Sequence, residues 1–260
     1  MSVDLVILMY HELELPGREL CEEGTGYRRY VVAATDFRAQ LARLGAGDAR
    51  ATSVSEALAA PPGPRSVAIT FDDGCETDLI TAAPALAERG YGATFYVTVG
   101  RVGRSGYLAT RQVRELSDLG FEIGCHSLSH AYLPGLSPTR LEQEIGESKD
   151  SLEGLTGRPV IALSCPGGRW SRRVADAARA RGYESVATSR IGTVSPNADP
   201  FDLPRVAIMR DMSASDVEAV TRAQGLRARW IRAAALDAAK RVLGDNTYER
   251  LRATALGSRT

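Results

Sequence analysis

Apolar and polar positions along this chain switch between the two periods of strands and helices. Residues 3–9 form a short apolar run, interrupted by Asp4 and ended at Tyr10-His11. This predicts a buried strand, far too short to span a bilayer. Asp36 then stands at the N-cap of an amphipathic helix with Phe37, Leu41 and Leu44 at helical spacing. From residue 67 onward strand-like and helix-like segments take turns. Strands are predicted at 67–71, 93–99, 121–125, 160–164 and 185–188, with 206–209 as the last. Helices are predicted at 77–89, 111–119, 138–155 and 172–181. Gly90, Gly120 and Gly182 close three of them.

This alternation is the pattern of a parallel sheet with crossover helices. About seven strands predict an α/β fold of the distorted (β/α) barrel type, closed or nearly closed, rather than an open doubly wound sheet. No GxGxxG follows a strand, which argues against a dinucleotide site. The run 59–64, Ala-Ala-Pro-Pro-Gly-Pro, is a loop too short to serve as a domain linker. The tail over 213–256 reads as Ala- and Arg-rich helices. The expected organisation is a barrel over 1–212 and a C-terminal helical extension over 213–260 packed on it.

Composition adds mostly exclusions. Basic and acidic side chains number 32 each in 260 residues, so the basic excess of a nucleic-acid or anionic-membrane binder is missing. The apolar start lacks a basic n-region, which predicts a cytoplasmic protein without a transmembrane segment. Cys21, Cys75, Cys125 and Cys165 show no CxxC spacing, so reduced thiols are expected rather than a structural zinc site or disulfide framework. The pattern specifies no oligomeric state.

The candidate chemistry falls at the C-terminal ends of predicted strands, where parallel barrels build their active sites. Tyr10-His11, Thr70-Phe71-Asp72-Asp73-Gly74, His126-Ser127-Leu128-Ser129-His130 and Ser164-Cys165-Pro166-Gly167-Gly168-Arg169 each end one. His126 and His130 are four apart, so within one helical turn their imidazoles would face the same way and share a cation. Two imidazoles and the Asp73 carboxylate make a donor set for zinc, with cobalt, nickel or iron also compatible. Asp72 is then free to act as general base on water activated by the metal. Cys125, one residue before His126 on a strand, should face away from the ligands; Cys75 and Cys165 read as small apolar fillers.

TFDDG, GCHSLSH and SCPGGR, in this order, resemble the motifs of the polysaccharide deacetylases of the NodB-homology group, carbohydrate esterase family 4, over roughly residues 66–210. The resemblance implies a distorted (β/α) barrel and metal-dependent hydrolysis of acetyl groups on carbohydrates, with Asp72 as base and Asp73, His126 and His130 as ligands. It also exposes departures. Ser164 and Gly167 stand where the family's third motif has an Arg and an aromatic, so another cation, Arg169 or Arg205, must orient Asp72. Pro166 suits a fixed groove wall, and the Gly167 backbone N–H an oxyanion donor. The family's late Leu-x-His motif is missing, while the Leu8-Met9-Tyr10-His11 start is similar to the circularly permuted branch acting on poly-β-1,6-N-acetylglucosamine. That similarity implies His11 as the acid protonating the leaving amine. Trp170 reads either as a sugar-stacking surface or as a core residue. The expected substrate is an N-acetylated sugar: a glycolipid or lipid-linked precursor, a nucleotide sugar, or a sugar-containing natural product. The alternatives are hydrolysis of a non-sugar amide or cyclic imide on the same fold, and a catalytically inactive carbohydrate-binding barrel.

Overall fold

The computed structural model describes residues 4–46, 49–59 and 66–226. The chain divides into one unit over 1–223 and a second over 224–260, of which only 224–226 fall among the described residues. Most of the expected C-terminal extension therefore lies outside them. Its first helix, Ala214–Thr221, belongs to the first unit and packs on the helix Ala34–Ala46.

The strands are β1 (Val6–Tyr10), β2 (Leu13–Glu14), β3 (Val32–Ala33), β4 (Arg50–Thr52), β5 (Ser66–Phe71), β6 (Thr94–Val97), β7 (Glu122–Cys125), β8 (Ala162–Ser164), β9 (Ser185–Ala187) and β10 (Val206–Ala207). Seven of them run parallel in one curled sheet, in the order β10-β1-β5-β6-β7-β8-β9. The result is a distorted (β/α) barrel. β4 pairs with the N-terminal half of β5, and β2 and β3 form a separate small sheet; these three short strands carry too few residues to show a period. The segment 203–207 touches both edges of the curl. Leu203 bridges Ala187 at the end of β9, and β10 pairs with Leu8 and Met9 of β1.

The strands are buried almost throughout, as expected when a parallel sheet is covered on its outer face by helices and packed on its inner face. Alternation sorts the residues of β5. Phe71 turns outward and joins Tyr10, Phe95 and Phe37 in a chain of ring contacts at 5.1–5.6 Å. Thr70 and Asp72 turn inward, where Arg205 reaches both. Tyr10 also donates to Gln40 (2.9 Å), and Gln40 to the Met212 carbonyl (3.0 Å), which seats the helix Ala34–Ala46 against the sheet.

Two predicted helices are interrupted by π-helical turns. One is Asp78–Ala82 ahead of Ala83–Ala87, where Pro84 has no N–H to donate. The other, Gln143–Glu147, lies between Pro138–Glu142 and Ser148–Thr156 and carries the buried Glu144 toward the barrel rim.

Candidate active site

The C-terminal ends of β1, β5, β6 and β7 lie side by side. Their backbones continue one another's ladder past the last paired residues: Asp72 N–H donates to the Tyr10 carbonyl (3.0 Å) and His126 N–H to that of Val97 (2.9 Å). Asp72, Asp73 and His126 are thereby fixed at one rim and almost fully buried. Three of the four non-glycine residues with positive φ among the described residues are here: Asp73 (85°), Ser127 (63°) and His130 (63°). Such backbone costs free energy and persists where its surroundings hold it.

Asp72 is gripped by Arg205. Two parallel hydrogen bonds of 2.7 Å join the guanidinium to both carboxylate oxygens. Ser164 stands between the two groups, accepting from Arg205 (2.8 Å) and donating to Asp72 (3.2 Å). Arg205 is fully buried and also donates to Thr70 Oγ1 (3.1 Å) and the Thr188 carbonyl (2.8 Å), with Tyr96 5.5 Å beneath it. Burial alone would raise the Asp72 pKa. The charge and hydrogen bonds of Arg205, with help from His126 and His11, outweigh it and leave the carboxyl at about 2.

The histidines do not share a helical turn, contrary to the expectation from their spacing. Residues 126–130 form a tight irregular loop, and positive φ at Ser127 and His130 brings the imidazoles to 5.0 Å. Ser127 Oγ accepts the His130 N–H (3.0 Å), and Glu144, pushed in by the π-turn, accepts from Ser129 N (2.8 Å) and Oγ (2.5 Å). His126 Nδ1 lies 2.9 Å from the Ser164 carbonyl, which fixes the Nδ1–H tautomer and leaves Nε2 with a lone pair. Burial holds the His126 pKa down at about 4, so the ring is neutral at neutral pH.

His126 Nε2 and His130 Nε2 stand 3.7 and 3.2 Å from Asp73 Oδ1. That oxygen is buried without a well-aligned hydrogen bond, although Arg101 Nη1 makes an ion contact with it at 2.8 Å. Burial would raise the Asp73 pKa, but the His130 hydrogen bond and surrounding positive charge hold it well below the usual carboxylate range. One carboxylate oxygen and two imidazole nitrogens thus converge within 4.8 Å. A buried carboxylate oxygen facing two imidazole nitrogens fits a divalent cation with room for further ligands.

The remaining sequence candidates divide. His11 directly follows β1, beside Asp72; it is half-buried, its Nδ1 has no hydrogen-bond partner among the described residues, and its ring packs 4.8 Å from Tyr30. Pro166 is buried and Gly167 exposed with φ of 61°. A Cβ at 167 would meet the Tyr132 ring at 2.7 Å, so the missing aromatic of the third motif leaves space that Tyr132 fills from the histidine loop. Arg169 is exposed and stacks on Tyr132 at 4.5 Å; among the described residues the cation on Asp72 is Arg205. Trp170 is half-buried with its indole N–H bonded to the Phe201 carbonyl (2.6 Å). Sequence reasoning did not single out Arg101, Tyr132 or Glu144. Arg101 sits shortly after the end of β6, a signal that was available; Tyr132 lies past the histidine loop. Glu144 is mid-helix and gives none. Cys125 faces away from the ligands onto Ser148 (3.0 Å), whereas Cys75 lies among polar groups rather than filling an apolar space.

The curled parallel sheet with its covering helices is the (β/α) barrel of NodB-like deacetylase structures, and the Asp-His-His trio and the clamped second aspartate sit at its C-terminal rim. The sequence model described as polysaccharide deacetylase matches residues 59–186. The chain is 30% identical over 154 residues to "Putative polysaccharide deacetylase YxkH" of Bacillus subtilis, covering 59% of this chain and 55% of that protein. It is 32% identical over 127 residues to a peptidoglycan-N-acetylglucosamine deacetylase of Bacillus cereus, covering 48% of this chain and 57% of that protein. The chain thus spans little more than half the length of these two relatives. Among solved structures, the Streptococcus pyogenes deacetylase PplD shares the fold with a TM-score of 0.75 at 24% identity, over 85% of this chain and 99% of that one. No helix among the described residues is long and apolar enough to cross a membrane.

Proposed function

We propose that this chain is a metal-dependent N-deacetylase that hydrolyses the acetamide of a sugar or glycoconjugate, releasing acetate and a free amine. The observation that carries this reading is the pairing of an ionised, Arg205-clamped Asp72 with the Asp73, His126 and His130 trio, Asp72 Oδ2 lying 3.9 Å from His126 Nε2. A divalent ion held by the trio, zinc by its donor chemistry, would polarise the acetamide carbonyl and lower the pKa of a water to about 7.

The protein's own groups supply the rest. Asp72 accepts the proton of the attacking water, and Arg205 keeps its carboxylate ionised and aimed. The Gly167 N–H stabilises the developing oxyanion, and Pro166 fixes the groove beside it. His11, just past the end of β1 and beside Asp72, donates a proton to the departing nitrogen. That role follows the circularly permuted branch and is consistent with β1 lying between β10 and β5. Arg169 and Tyr132 form an exposed stacked pair at the mouth, suited to a pyranose ring; the bonded indole of Trp170 favours a structural part for that residue.

The test is acetate release from a panel of N-acetylated sugars by metal-stripped protein, with and without added zinc or cobalt. Metal-restored release, lost by at least ~100-fold in Asp72→Asn and His126→Ala, is the expected result. Full activity in either variant would overturn the scheme. Turnover of small amides without any N-acetylhexosamine would move the substrate to the non-sugar class.

A further inference from the structure

A second cluster of metal-ligating side chains lies outside the trio. Glu12, two residues past the end of β1, is fully buried. Its carboxylate accepts the Cys21 N–H (2.9 Å), the Tyr27 hydroxyl (2.9 Å) and Arg18 Nη1 (2.6 Å). Cys21 Sγ sits 3.4 Å from the same carboxylate and 3.0 Å from the Gly106 carbonyl. The second thiol, of buried Cys75, lies 3.5 Å from the Tyr27 hydroxyl. Ligand atoms of Glu12, Cys21 and Cys75 fall within 4.8 Å of one another. Gly106 permits this approach: its φ is 85°, and a Cβ there would stand 3.0 Å from Cys21 Sγ.

An independent observation points to a missing partner. Asp78, whose N–H donates to the Cys75 carbonyl (3.0 Å), is fully buried, and neither carboxylate oxygen has a hydrogen-bond partner among the described residues. Burial and then the neighbouring Cys21 push its pKa well up. A buried carboxyl left unpaired beside two sulfurs is costly unless it stays protonated or meets a cation.

We propose that Glu12, Cys21 and Cys75 form a second divalent-metal site, suited to zinc or a similar thiophilic ion, with the unpaired Asp78 carboxyl buried nearby. Loading forms metal–sulfur bonds at both cysteines, and the two thiol protons leave to solvent. One carboxylate and two thiolates then face the ion's two charges and that of Arg18, so the loaded cluster is near neutral. Two sulfurs select zinc-like ions over magnesium or calcium. Cys75 directly follows Asp73-Gly74, and the 74–76 segment is held by backbone bonds from Leu108 N–H to the Gly74 carbonyl (2.9 Å) and from Glu76 N–H to that of Gly106 (2.8 Å). The site therefore ties the loop bearing Cys21 to the segment that presents Asp73.

The experiment uses the full chain and does not depend on what it hydrolyses. The trio has no sulfur ligand, so thiolate-to-cobalt charge-transfer absorption in the near ultraviolet reports this site alone. Cobalt-loaded wild-type protein is expected to show that absorption and to hold two metal equivalents per chain. Cys21→Ser is expected to lose the absorption and one equivalent, while His130→Ala keeps the absorption. Wild-type protein that binds cobalt without the absorption would overturn the proposal. So would wild-type protein isolated two hydrogens lighter, with a Cys21–Cys75 disulfide in place of a metal.

Discussion

Asp72 would be a poor site for a negative charge without Arg205. The pair is buried, bidentate and bridged by Ser164, so removing the cation leaves a carboxylate with no compensation. Arg205→Ala is expected to destabilise the fold by about 3–5 kcal/mol in chemical denaturation. It should also move the acid limb of the pH–rate profile upward, because burial then acts on Asp72 with only His126 and His11 against it. An unchanged acid limb would show that Asp72 is not the titrating base. Stability should carry its own pH signature. The folded His126 pKa is depressed to about 4 from 6.5, so the unfolded chain binds the proton first and stability falls as pH drops through that window. Asp72, about 2 against 3.8, adds a further loss as pH falls below 3.8. The melting temperature of metal-free protein should follow this course. His126→Ala should flatten its upper part, and an undiminished slope there would assign it to other groups.

At the scale of elements, the π-turn Gln143–Glu147 does what a regular helix at this place does not. It presents Glu144 to the backbone and hydroxyl of Ser129, one residue before His130, with Arg140 closing on Glu144 at 2.7 Å. The loop between the two histidines is held in its positive-φ shape from outside, by a helix. Glu144→Ala is therefore expected to weaken metal binding at the trio by roughly 10–100-fold, as losses of supporting hydrogen bonds to ligand loops do. The far-ultraviolet circular dichroism should stay unchanged, and Glu144→Gln should lose less. Equal metal affinity in Glu144→Ala would mean the loop holds its own shape. The strand 121–125 and the helix 172–181 were legible in the sequence because their periods are strong. The π-turns were not, because a one-residue bulge leaves the apolar stripe nearly intact.

Across the whole molecule, curling the sheet gathers groups distant in the chain onto one rim, and a bound ion should stabilise the unit that gathers them. Zinc at ~100 times its dissociation constant adds about 2.7 kcal/mol, a rise of several degrees in melting temperature. The rise should be smaller in His130→Ala at matched zinc; an equal rise would remove the trio as its source. The sequence by itself determined the strand–helix alternation, the barrel class and the placing of Asp72, Asp73, His126 and His130 at the ends of strands, because periodicity and strand-end motifs are local properties of the chain. Only the tertiary structure decided between Arg169 and Arg205. Arg205 and Asp72 are 133 positions apart, and they meet because β10 closes on β1, which pairs with β5. The same reason hid the meeting of Cys21 with Cys75 and of Tyr132 with Gly167. Pairing across a curled sheet depends on strand order and register, which spacing along the chain does not encode.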